Sequence, residues 1–131
     1  MSAASDFLEN KVLDHVLGNT QYSQPDNYLA LFTADTGLES NSPSAEVSTS
    51  GTQYARQSVS FGAASSGSAS TDATVTFLAA SANWGTITHV AVMDAASGGN
   101  VLFWGAVTTT KTIESGDTFQ VSSGNLTVSL D

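Results

Sequence analysis

Two periodicities predict an antiparallel β-sandwich or barrel-like domain that carries one amphipathic α-helix at its N-terminal end. Apolar residues recur every three to four positions up to Leu17, then every second position after Asn27. Those are the spacings at which a helix and a half-buried strand each turn one face inward. The strand-like runs are short and separated by Gly-, Ser- and Asn-rich turns, the rhythm of all-β sandwiches and barrels. At 131 residues the chain has room for one domain, 1–131, and its 40% apolar share is enough for one core.

The helix is predicted over 5–17. Leu8, Val12, Leu13, Val16 and Leu17 form the apolar stripe, while Glu9, Asn10, Asp14 and His15 fall mainly on the other side. Ser5 suits an N-cap, and Asp6 and Glu9 place negative charge at the positive end of the helix dipole. Gly18-Asn19 supplies a residue able to take a positive φ just past the end.

The β domain is predicted over 27–131. Its runs are Asn27–Thr33, Tyr54–Phe61, a short one with Ala73, Val75 and Phe77 on one face, Thr86–Met93, Val101–Val107, Thr118–Val121, and the terminal Leu126–Leu130. Asp94 to Asn100 reads as a hairpin loop in which Gly98-Gly99 takes the positive φ values of a tight reversal. Ser115-Gly116-Asp117 reads as a second turn. Two segments lack apolar periodicity. The long loop 34–53 contains either an unrecognised strand around Glu46–Ser48 or an arm ordered by a partner. Gly62–Thr71 reads as an exposed flexible loop.

Composition excludes several classes. The formal charge is −9, with 12 acidic residues against three basic ones, Lys11, Arg56 and Lys111, too few and too scattered to neutralise phosphates. Nucleic acid is therefore not expected as a partner, nor is an anionic membrane surface. No apolar run approaches the roughly 20 residues of a spanning helix, and the start, MSAASDFLENK, lacks the basic and apolar regions of a secretory signal. The absence of Cys removes disulfides, thiol catalysis and thiolate metal sites, and fits synthesis in a reducing cytoplasm. With 20 Ser and 16 Thr, solubility rests on hydroxyls more than on ion pairs.

No constellation for catalysis emerges. His15 lies on the polar side of the helix, and His89 sits in phase with Ile87, Ala91 and Met93, where a backbone-bonded rim histidine is the commoner use. No G-x-S-x-G elbow supports a Ser nucleophile. Asp35, Glu39 and Glu46 share the long loop, and Asp94 and Asp117 stand beside turns. A glycosidase pair needs facing carboxyls about 5–9 Å apart, whereas Asp at turns already has a role in bonding nearby amides. No EF-hand spacing appears. Trp84, Trp104, Tyr22, Tyr28 and Tyr54 could stack on a sugar, but core packing is the commoner role of such aromatics. The chain is expected to be no enzyme and to hold no cofactor or metal.

Several segments together resemble a family of small tailed-bacteriophage virion proteins often labelled tail fibre proteins. They are FLENKVLDHVLGNTQY, YLALFTADTG, YARQSVSFGAAS, WGTITHVAVMDAASGGNVLFWGAV and TIESGDTFQVSSGNLTVSLD. The most specific pieces are Tyr54-Ala55-Arg56, Trp84-Gly85-Thr86, Gly98-Gly99-Asn100 followed by Phe103-Trp104-Gly105, and Gly124 to Val128. The segment Leu38–Gln53 departs from the shorter, Gly-rich form of such relatives. The resemblance implies a non-enzymatic structural protein located in the virion.

A long shaft of repeats or coiled coil is absent from the pattern, so a capsid decoration or cement protein docking on the major capsid protein is the leading expectation. A tail fibre or tail-associated module and a carbohydrate-binding host-adhesion module are the alternatives. Partners are expected among the virion proteins, together with further copies of the chain as a homo-oligomer. The residues nominated for an assembly interface are Leu13 and Leu17 on the helix, Tyr22 after it, Leu38 in the long loop, and Tyr54 and Arg56. Arg56 suits a bidentate pair with a carboxylate, either within the chain or across an interface.

Overall fold

A computed structural model describes residues 3–130. The elements, in chain order, are β1 (Ala3–Ala4), α1 (Asp6–Val16), β2 (Tyr28–Phe32), β3 (Gln57–Ser58), β4 (Ser68–Ser70), β5 (Val75–Thr76), β6 (Gly85–Met93), β7 (Val101–Ile113), β8 (Gln120–Val121) and β9 (Thr127–Ser129). One five-stranded antiparallel sheet runs in the order β1-β7-β6-β2-β3, and two ribbons, β4-β9 and β5-β8, lie apart from it. The sheet does not close into a barrel.

Strand alternation builds a core on each side of the sheet. Leu29, Leu31, Val90, Val92 and Leu102 share the main core with Val75, Phe77, Phe119 and Leu126 from the ribbon side, so sheet and ribbons form a sandwich. Tyr54, Phe77, Trp84 and Phe119 interlock there, with ring centroids 5.4–6.4 Å apart. The Trp84 indole N–H donates to Thr52 O at 2.9 Å. The opposite face carries a smaller core of Ala30, Phe32, Ala91, Met93 and Val101, closed by Leu38 and edged by Trp104. Register slips by one residue between Val92↔Phe103 and Met93↔Val101. This bulge puts Leu102 and Phe103 on the main-core side and leaves Val101 on the other.

The helix matches the sequence expectation to within a residue at each end. Ser5 caps it: its hydroxyl accepts from Leu8 N at 3.2 Å and donates to Val101 O, and the residue is wholly buried. At the other end Gly18, at φ 84°, allows Gly18 N to bond His15 O and Asn19 N to bond Asp14 O, the paired bonds of a Schellman motif.

The structure favours one of the two readings of segment 34–53 and corrects that of 62–71. Loop 34–53 is held by its own chain. Leu38 is fully buried, Glu46 bridges Phe32, and Thr33 N and Val47 N donate to Ala45 O and Leu31 O. The expected strand near Glu46 is thus a single bridge, anchored by one leucine that periodicity does not reveal. Within 62–71, Ser68–Ser70 forms β4 on β9, with hydroxyl pairs Ser68–Ser129 at 2.9 Å and Ser70–Thr127 at 2.8 Å. Cross-strand hydroxyl contacts stabilise such a pair without any apolar alternation. Of the expected strand Tyr54–Phe61, only Gln57–Ser58 pairs with β2, because Tyr54 and Arg56 turn to other tasks.

Candidate assembly surface

The first turns of α1 pack on the chain and the last turns do not. Leu8 is buried, Phe7 and Val12 are half-buried against the main core, and the Lys11 ammonium lies 5.5 Å from the Phe7 ring centre. By contrast Leu13 is 55% exposed, Val16 71% and Leu17 77%. A step of 100° per residue puts Asp6, Glu9, Leu13, Val16 and Leu17 within one outward arc. That face is acidic at its N-terminal half and apolar at its C-terminal half, and Asp6 and Glu9 are both exposed. The acids have a local role at the positive end of the helix dipole. The leucines and valine have no such role, which makes this face the candidate interaction surface.

The patch continues onto the β domain. Glu9, Val12, Leu13 and Leu130 line a recess of about 280 Å³. Leu130 also borders an open groove of about 390 Å³ whose walls include Phe61, Val92, Phe103 and Val128. Its walls come from both the main sheet and the β4-β9 ribbon.

Of the six residues nominated for the interface, Leu13 and Leu17 lie on this face. Tyr22 sits behind it, edge-on to Phe7 at 6.3 Å. Burial, followed by the nearby Asp94 charge, raises its pKa. The remaining three are used inside the chain, and for Arg56 this is the within-chain carboxylate pair that its sequence position also allowed. Leu38 plugs the second core, and Tyr54 is 3% exposed in the main one. Arg56 Nε and Nη2 each reach a Glu46 carboxylate oxygen at 2.8 Å, and Nη1 donates to Ala95 O at 2.7 Å and Gly98 O at 2.8 Å. The Tyr54 hydroxyl donates to the same carboxylate at 2.6 Å and accepts from Leu31 N at 3.0 Å. Burial, then the Glu46 hydrogen bond, pushes the Tyr54 pKa well above its ordinary value. The Glu46 hydrogen bond raises that of Arg56.

The other residues weighed for chemistry have local partners. His15 Nδ1 accepts from Tyr22 N at 3.1 Å and fastens the segment leaving the helix. His89 Nδ1 pairs with Thr88 Oγ1 at 2.8 Å, and its ring lies 6.3 Å from that of Trp104. Asp94 receives Asn100 N and Nδ2 and closes the β6-β7 loop, while Asp117 receives Glu114 N. Gly99 is required in that loop, since a Cβ there would strike the Asp94 carboxylate and Ala95. Among the described residues no cluster of three or more His, Cys, Asp or Glu is placed to hold a metal ion. The residue that sequence reasoning left out of the nominated surface is Val16, placed in the apolar stripe and 71% exposed beside Leu17.

A search among curated proteins finds no match. A family model described as Podophage GP4 fiber I protein gp80 matches residues 3–129, nearly the whole chain. The chain belongs to this podophage fibre family and is a phage virion structural protein.

Proposed function

We propose that the chain is a non-enzymatic, fibre-associated module that attaches to other virion proteins through the outward face of α1. One observation carries this reading: Leu13, Val16 and Leu17 stand in solvent on a helix that packs on its own chain through Leu8, with Phe7 and Val12 half-buried beside it. Burial of such side chains is worth about 1.5–3 kcal/mol each, a gain that the free chain forgoes. The arrangement suits a part that is stabilised in place by mass action, because the particle binds the folded chain and not the unfolded one.

The family match favours a fibre position over the shell-decoration role expected from the chain's compactness. A sugar-binding role loses support because Tyr54 and Trp84, two of the candidate stacking rings, are in the core. Assembly of the particle in the host cytoplasm fits a chain without Cys.

Immunogold labelling of intact virions with antibody against this protein tests the location. Gold confined to the tail or fibre region is the expected result. Gold spread over the heads would replace the fibre position with shell decoration, and absence of the protein from purified particles by mass spectrometry would end both readings.

A further inference from the structure

We infer that the outward face of α1 seats in a groove of a different virion protein, one whose floor is apolar and whose rim carries Lys or Arg. This rests on the proposed docking through α1 and names the chemistry of the partner. The face is divided along its length, with Asp6 and Glu9 in the first turns and Leu13, Val16 and Leu17 in the last. Glu39 is also exposed, and the backbone ties it to the same end through Asp6 N donating to Glu39 O at 2.9 Å. The three cations do not offset these acids on this face. Lys11 lies inward over Phe7, Arg56 is bound to Glu46, and Lys111 is on β7.

That division argues against a second copy as the occupant. Two copies of α1 packed in parallel would set Asp6 and Glu9 against their own counterparts. Packed antiparallel, they would press those carboxylates onto the partner's Val16 and Leu17, where a charge loses its hydration without gaining a counter-ion. Both arrangements also bring together two chains of net charge −9. A heterologous groove with basic residues at one end and an apolar floor at the other satisfies both halves of the face. Helix-in-groove recognition of this kind reads side chains at i, i+3, i+4 and i+7; from Glu9, Leu13 and Val16 stand at i+4 and i+7, and Leu17 follows at i+8 on the same arc.

The test places a photo-crosslinking benzoylphenylalanine at position 17 of the full chain during infection, followed by mass spectrometry of purified particles. The expected product joins position 17 to a peptide of another virion protein, and adding Glu9→Lys lowers its yield at least tenfold. The purified wild-type chain and its Leu13→Ser/Leu17→Ser variant should sediment with the same mass at low and high salt. Crosslinks to a second copy, or a mass that falls in the double variant, would overturn the inference and leave attachment through α1 standing. A crosslink to another protein that is indifferent to Glu9→Lys would overturn the basic rim. If the double variant enters particles at wild-type occupancy, docking through α1 is itself wrong, and the inference goes with it.

Discussion

Arg56 holds Glu46 through both carboxylate oxygens, each at 2.8 Å, and so fastens loop 34–53 to the strand segment that follows it. Its remaining guanidinium nitrogen spans to the carbonyls of Ala95 and Gly98 in the β6-β7 loop. One side chain, only 6% exposed, therefore ties three segments together.

Arg56→Met removes the fork and leaves the Glu46 charge partly buried with a single protein donor, Tyr54. Discounted for the 25% exposure of Glu46, the loss of stability should be roughly 2–4 kcal/mol. Denaturant titration checks this, and Arg56→Lys should recover only a minor share because an ammonium cannot span four acceptors in one plane.

Tyr54 gives the fold an alkaline limit. Its folded pKa lies above the ordinary value of 10.0, so the folded state keeps a proton that the unfolded chain releases. The stabilisation is complete below about pH 10 and declines as pH rises further, by at most about 1.4 kcal/mol per pH unit for one group. In Tyr54→Phe the slope above pH 10 becomes shallower, with Tyr22 supplying what is left. The plateau at neutral pH falls by about 1–3 kcal/mol because Leu31 N loses its acceptor. Melting temperatures from pH 7 to 11 measure both effects.

Leu38→Ala should cost about 2–5 kcal/mol, as for other buried leucines. Hydrogen exchange of the isolated protein should show Val47 N protected in the wild type and less so in the variant, since that amide bonds Leu31 O. Rapid exchange at Val47 in the wild type would mean that loop 34–53 needs a partner to order it.

What the sequence made legible follows from which physical signal each element carries. The helix announces itself through a cap, a dipole pattern and a Gly terminator, and β2 and β6 through alternation. Ser68–Ser70 carries no apolar alternation because hydroxyl pairs with Ser129 and Thr127 hold it. β7 runs on to Ile113, six residues beyond its expected end, through a threonine-rich stretch whose side chains are exposed. Periodicity showed that α1 has an apolar stripe but not that the stripe divides between core and solvent, because that depends on where β7 lies. Tyr54 and Arg56 were recognisable as special residues. Their role inside the chain was not, since Glu46 and the Ala95 and Gly98 carbonyls come from distant segments.

Ser5→Ala removes a cap and the bond to Val101 O together. The cap alone is worth about 0.5–2 kcal/mol, and the lost partner of a buried carbonyl places the variant at the upper end. Circular dichroism and thermal melts should show a weakened helix, and with it a less firmly placed Leu13, Val16 and Leu17.

Docking through α1 requires that Leu13, Val16 and Leu17, at the C-terminal end of the helix, serve the particle and not the chain's own core. The direct measurement is the copy number of a Leu13→Ser/Val16→Ser/Leu17→Ser variant in purified particles, by quantitative mass spectrometry, beside its melting temperature in isolation. The account predicts a melting temperature close to the wild type with occupancy reduced at least tenfold. Wild-type occupancy would contradict docking through this face, and a variant that fails to fold would contradict the division of the helix between core and solvent.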